Sequence, residues 1–254
     1  MNSLEQKWDD NNKVWVYWSS LYIVNPGNGA VQKVGQVQQN GAPLELRDIA
    51  FSPITGKMYG IYNDGLGDPG QLYTLDFQNP AAGVVPATLV ANLTVGGLEG
   101  LTASLDGSLY AGSTNLYRLN PANGQATLLG PMSTSQQTMG MTGDLDFGDN
   151  DAALLGIVTV QDAQPPYYLA SLNQNTGAAS PIGEGFQEYV DSMVIVDRTI
   201  YGGDIGGDFL TIDPGTGETY TLRNNGLWMR GMTYVPFNQT GARALTSIQL
   251  LLEN

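Results

Sequence analysis

A short hairpin signature that returns along the whole chain constrains what this sequence can fold into more than any other feature. LYRLNPANG from Leu116 is its clearest copy, followed by a second strand, ATLLG. Related copies are LYIVNPGNG from Leu21, LYTLDFQNP from Leu72, LASLNQNTG from Leu169 and FLTIDPGTG from Phe209, with starts stepping by 51, 44, 53 and 40 residues. Four of the copies place a Gly eight positions after the start (Gly29, Gly124, Gly177 and Gly217); the copy at Leu72 has Pro80 there and a longer loop to Gly83. Asn123-Gly124 between two apolar runs reads as a tight turn, because both residues tolerate positive φ.

A second hairpin alternates with the first. Its copies begin at Arg47, Glu99, Gly143, Asp191 and Arg230, and each is a short strand, a turn and another strand with period-2 alternation. The turns are Thr55-Gly56, Asp106-Gly107, Asp149-Asn150, Asp197-Arg198 and Thr240-Gly241. Call these the inner hairpins and the first set the outer ones. Together they make a four-stranded antiparallel unit at a period of roughly 45 residues, the period of a propeller blade. The first outer hairpin precedes the first inner one, and the last inner one has no outer hairpin after it. The expectation is an all-β, five-bladed ring in which N- and C-terminal strands share a blade, leaving no free sheet edge there. Residues 13–19 and 244–252 both compete for the second position of that shared blade. The expected division is a polar arm over residues 1–12 and a single propeller domain over residues 13–254.

The repeats LY-x-[ILV]-[DN]-P-x-[TN]-G resemble those of bacterial β-propellers of the YVTN- and NHL-like group, over nearly the whole chain. The resemblance implies the architecture and says almost nothing about activity, because this fold hosts binding proteins, enzymes and structural parts alike.

Composition narrows the function classes. The net charge is −14 with 24 acidic and 10 basic residues. A surface of that sign repels phosphate backbones and anionic lipid, which argues against nucleic-acid and membrane-surface partners. The chain has no Cys, so disulfides and thiolate chemistry are excluded, and no His, so the commonest general base and transition-metal ligand is missing. The polar start, MNSLEQKWDDNNK, shows no apolar leader segment, and no apolar run is long enough to span a bilayer.

In a propeller the first strand of each blade lines the central channel. Arg47, Glu99, Asp191 and Arg230 would then ring one mouth, with Trp228 beside them. They could pair with one another as rim charges, or grip a polar ligand. Two positions further on, the channel column reads Ala50, Thr102, Asp146, Val194 and Thr233. A carboxylate at Asp146 needs water, a hydroxyl such as Thr102, or a cation. Asp144, Asp146 and Asp149 form an acidic cluster whose composition suits Ca²⁺ but whose spacing fails the EF-hand pattern; Asp149 is better read as a turn cap. The Gly-Asp loops holding Asp64 and Asp68, and Asp204 and Asp208, read as turn-rich connections. Tyr22, Tyr73, Tyr117, Tyr59, Tyr110 and Tyr201 recur at fixed blade positions and are assigned to the core between blades.

The reading that follows is a non-enzymatic binding or structural module, without cofactor, that contacts a protein partner or copies of itself and is exposed on a particle or cell surface. A lectin-type propeller is the alternative, with Trp228 stacking on a sugar. A hydrolase working through Glu99, Asp146 and Asp191 is the third reading and needs two carboxylates across one cleft.

Overall fold

The computed structural model describes residues 5–9, 14–63, 69–78, 80, 83–148, 151–236 and 248–253. Strands β1 (Glu5–Asp9) and β2 (Val14–Trp18) form an antiparallel pair of their own. Next come β3 (Ser20–Val24), β4 (Val31–Gln39) and the short β5 (Ala42–Pro43), each antiparallel to its neighbour. The first complete antiparallel unit is β6 (Asp48–Ser52), β7 (Lys57–Tyr62), β8 (Pro69–Leu75) and β9 (Val84–Gly96). The second is β10 (Gly100–Ala103), β11 (Leu109–Gly112), β12 (Asn115–Leu119) and β13 (Ala126–Pro131). The third is β14 (Met139–Phe147), β15 (Leu154–Val160), β16 (Tyr167–Leu172) and β17 (Ala179–Phe186). The fourth is β18 (Val190–Val196), β19 (Thr199–Asp204), β20 (Asp208–Ile212) and β21 (Thr219–Asn224). Finally β22 (Met229–Val235) pairs with β23 (Ile248–Glu253), and β23 lies alongside β3. Of the two segments that compete for one position in the sequence, residues 248–253 pair with β22, and β2 pairs with β1.

Each unit meanders in chain order, as the alternation of inner and outer hairpins predicts. The first strands also touch in sequence: β6 packs on β10, β10 on β14, β14 on β18, β18 on β22, and β22 on β6. The apolar core divides in the same way. Leu72, Leu98, Leu101 and Leu109 fill the space between the first and second units, and Leu116, Met141, Leu145 and Leu154 that between the second and third. Ile157, Leu169, Met193 and Leu210 lie between the third and fourth. Val24, Phe209 and Met232 join the fourth to β3 and β22, and Leu21, Ile49, Tyr73 and Val235 join β3 and β22 to the first. Tyr22, Tyr59, Tyr73 and Tyr110 are buried in these layers, and Tyr201 stacks on Phe209 with centroids 5.5 Å apart. Their recurrence therefore reflects packing.

The outer turns differ in kind from the tight Asn-Gly turn. Residue 123 keeps ordinary φ and only Gly124 is left-handed, at φ 68°. The turn begins three residues earlier: Asn120 Oδ1 accepts the Ala122 N–H at 2.9 Å, and the Asn120 carbonyl accepts the Gly124 N–H at 2.8 Å. The same pair of bonds recurs at Asn25/Gly29, Asn173/Gly177 and Asp213/Gly217. The Asn or Asp of the motif thus forms an Asx-turn, Pro presets the next φ in three of these four copies (Gln174 stands there in the other), and Gly supplies the left-handed closure.

At the perimeter these turns lock onto the outer strand of the preceding unit. A Cβ at Gly183 in β17 would stand 1.6 Å from the Thr216 carbonyl oxygen, in the turn after β20, and Gly183 itself has φ 72°. A Cβ at Gly35 in β4 would stand 2.5 Å from the Gly83 carbonyl oxygen. That close approach lets β4 run parallel to β9 over Gln36–Gln38 against Val84–Pro86, a contact the repeat pattern does not announce. Gly183→Ala combines a left-handed backbone with a backbone clash. It is expected to lower stability by about 2–5 kcal/mol, read as a reduced urea midpoint, whereas an unchanged midpoint would refute the contact.

Candidate functional site

The starts of the first strands converge at one end of the set, and there the charged side chains pair with one another, although the buried Arg230 Nε makes no hydrogen bond. Arg47 donates through Nε to Glu99 Oε2 at 2.6 Å and also pairs with it through Nη2. Arg230 donates through Nη1 to Glu45 Oε1 at 2.6 Å, and its Nε lies 4.0 Å from Asp191 Oδ2. The Trp228 indole N–H donates to Asp191 Oδ2 at 2.9 Å, while the Arg230 guanidinium sits 5.0 Å from the Trp228 ring centroid. Sequence reasoning named Arg47, Glu99, Asp191, Arg230 and Trp228 and the structure brings all of them together. It missed Glu45, which lies two residues outside the repeating column and carries no signal of its own. Burial raises the Asp191 carboxyl to about 6 against the pull of Arg47 and Arg230. Burial, then the Asp191 charge, pushes the Tyr189 phenol up. Each ion pair joins side chains from different units, so the cluster acts as a set of ties between first strands. Trp228 is thus held at its edge by Asp191 and carries Arg230 over one face.

One layer deeper, side-chain oxygens reach across the axis to backbone N–H groups of other units. A first strand is a sheet edge, and its inward N–H groups need acceptors. Asp48 accepts from its neighbour Ile49 at 2.6 Å and from Leu101 on β10. Asp144 accepts from Leu145 at 2.7 Å, from Met193 on β18 at 3.1 Å and from Met232 on β22 at 3.1 Å. Thr233 Oγ1 accepts from Phe51 on β6 at 2.9 Å. Gly231 leaves room for this, since a Cβ there would lie 2.1 Å from Asp48 Oδ1. Asp48 and Asp144 are fully buried and face one another, and burial pushes both carboxyl groups far above the ordinary range. Two such groups in contact hold a proton between them, because a second buried negative charge at that distance is prohibitive.

Asp146 lies further along β14, at the floor of a 270 Å³ pocket that opens at the opposite end of the first strands. Thr102 Oγ1 donates to Asp146 Oδ1 at 2.8 Å, as the channel column predicts; the Phe147 N–H donates to the same oxygen at 2.9 Å and the Ile195 N–H to Oδ2 at 2.8 Å. Burial lifts this carboxyl to about 6. All five first strands contribute to the wall, with Phe51, Ala103, Phe147, Ile195 and Tyr234 among the lining groups. Leu105 lines the mouth and is 48% exposed, and Ile54 in the adjoining turn is 62% exposed. No signal in the repeats marked this apolar collar, because its residues sit in turns, where alternation says nothing.

Asp149, Asp64 and Asp68 lie outside the described residues. Asp204 Oδ1 accepts the Asp208 N–H at 2.7 Å and the Asn224 amide bonds Asp208 at 2.7 Å, so that Gly-Asp loop is a turn held by its own side chains. Among the described residues no group of three acidic side chains is arranged to hold a metal. Asp144 and Asp146 belong to separate layers and spend their oxygens on backbone donors, where Ca²⁺ would ask for six to eight oxygen ligands.

No family model matches the chain, and neither does any curated protein. Solved structures do. A Bacteroides thetaiotaomicron protein of unknown function superimposes with a TM-score of 0.55 at 13% identity, over 100% of this chain and 67% of that one. A chain of a nidogen/laminin complex superimposes with a TM-score of 0.54 at 14% identity, over 86% of this chain and 78% of that one. At such identities the likeness speaks for the fold alone: this chain is all-β, built of four-stranded antiparallel sheets, and its neighbours are β-propellers.

Proposed function

We propose that the chain is a five-bladed propeller, closed by β22 and β23 with β3 and β4 in one shared blade, and that it works as a non-enzymatic module for protein–protein contact. The closure reading is supported by the circuit of first strands, which returns from β22 to β6, and by the apolar layer that joins Leu21 and Val235 to Ile49. The observation that carries the binding reading is the contrast between the two mouths. At one, charged groups pair with one another between blades; at the other, exposed Leu105 and Ile54 border an apolar-walled recess. Exposed apolar groups around a recess favour a macromolecular contact over solvent. Placement separates Asp146 from the other two carboxylates of the hydrolase reading, and Arg47 and Trp228 already engage those two. Asp191 and Glu99 belong to the first mouth, while Asp146 bonds Ile195, four residues further along β18 and roughly 13 Å away at strand rise. The neighbour from a nidogen/laminin complex is a protein found in a protein assembly, which agrees with this reading. Exposure on a particle or cell surface belongs to the same proposal.

The test is recovery of the tagged chain from its natural source, beside Ile54→Asp/Leu105→Asp and a control, Tyr220→Ser/Leu222→Ser, on exposed groups of β21. The expected result is an assembly with defined stoichiometry, reconstituted from purified components, that the collar variant loses and the control keeps. Recovery as a free monomer in all three forms would overturn the reading.

A further inference from the structure

The pocket floored by Asp146 has features that specify an occupant. Its 270 Å³ falls just under the range of about 300–1,000 Å³ typical of small-molecule sites, so it suits a side chain better than a sugar or a cofactor. Its walls are apolar and partly aromatic, and among the described lining residues there is no Lys or Arg. Its two charged lining groups are both acidic: Asp146, and Asp151, whose Oδ2 accepts the Leu105 N–H at 2.7 Å. Both Asp146 oxygens already accept protein donors, two on Oδ1 and one on Oδ2. A guanidinium needs both oxygens of a carboxylate for its fork, whereas an ammonium needs one lone pair.

We propose that this pocket receives a lysine side chain of a protein partner, its ammonium against Asp146 and its methylenes between Phe51, Phe147 and Ile195. The inference rests on the binding reading above and names what that mouth would recognise. A lysine stem buries its carbons along apolar walls while its charge meets a carboxylate, the arrangement such a side chain adopts wherever it is inserted. The cation also relieves a strain of the free protein, since a carboxylate lifted to about 6 by burial is uncomfortable when ionised at neutral pH. The titratable groups facing Asp146 are Asp144 on the same strand and Asp151 beyond its end; β6, β10 and β18 present Phe51, Thr102 and Ile195 there, and β22 presents Thr233 and Tyr234. Ionised Asp146 is the binding form, so affinity rises with pH through about 6 and levels off above it.

The experiment uses n-butylamine, with n-butanol as the uncharged match, on the whole chain by amide-resolved NMR titration and thermal shift. At pH 8 the amine is expected to perturb the Thr102, Phe147 and Ile195 amides saturably and to raise the melting temperature. Butanol should do so at least about tenfold more weakly, the worth of roughly 1.4 kcal/mol. The amine's advantage should fade at pH 5, and Asp146→Asn should abolish it. Equal responses to amine and alcohol, an amine response elsewhere on the surface, or an advantage independent of pH would each overturn the proposal in the unmutated protein, so a poorly folding variant costs the test nothing. If the amine is refused while the collar variant still loses its partner, the lysine inference falls and the contact reading stands.

Discussion

Asp144→Ala should be among the most destabilising single substitutions in this protein, while Asp144→Asn should be mild. Alanine strips the acceptor from the Met193 and Met232 N–H groups and from that of Leu145, and Asp144 is fully buried, so no bulk water replaces it. An unsatisfied buried donor costs about 1–3 kcal/mol, which puts the total for three of them at about 3–9 kcal/mol and the midpoint of urea denaturation well below that of the parent chain. Asparagine keeps one acceptor oxygen for the Met193 and Met232 N–H groups and gives up only the bond from its neighbour Leu145, because an amide nitrogen cannot accept. It also removes one member of a buried acidic pair. The expected order of stability at pH 8 is therefore parent and Asp144→Asn close together, with Asp144→Ala far below. Equal losses in the two variants would show that the carboxyl's contacts across the axis carry no weight.

The second large effect is a protein that grows more stable as the solution is made mildly acidic. Asp146 and Asp191 both titrate near 6 in the folded chain, against 3.8 for the unperturbed side chain, with burial as the leading cause. The folded state therefore holds more protons than the unfolded one between those values. Stability is fully present below the unfolded pKa and is lost as pH rises through about 6. A shift of roughly two units is worth about 3 kcal/mol per group, and Asp48 and Asp144 act in the same direction. Melting should thus occur at a higher temperature at pH 5 than at pH 8, by several degrees in a chain of this size. Asp146→Asn should flatten part of that dependence. A melting temperature that is level or climbs between pH 5 and pH 8 would contradict the burial of these carboxylates.

A chain with 24 acidic residues would ordinarily be expected to keep them at the surface. Here several serve as acceptors for strand-edge N–H groups around the axis. That role occupies the oxygens of Asp144 and Asp146, the pair whose composition suits Ca²⁺. Acidic residues at alternate positions of a strand share a face, but the face they share is lined with amide donors from other blades.

The repeat length, the paired hairpins and the Gly and Asn positions of the outer turns were decided locally. Period-2 alternation and turn chemistry act within a few residues, so the strands at Leu21, Leu116, Leu169 and Phe209 could be read directly. So could the column that places Arg47, Glu99, Asp191 and Arg230 at one mouth, since a shared blade register carries each side chain to the same depth. The tertiary structure alone decided who partners whom. Glu45 meets Arg230, Asp144 reaches Met232, β4 lies parallel to β9, and Asp146 ends up beneath an apolar collar. Those contacts join residues tens to hundreds of positions apart, and their geometry depends on how twisted sheets pack around an axis, a quantity to which no single stretch of the sequence refers.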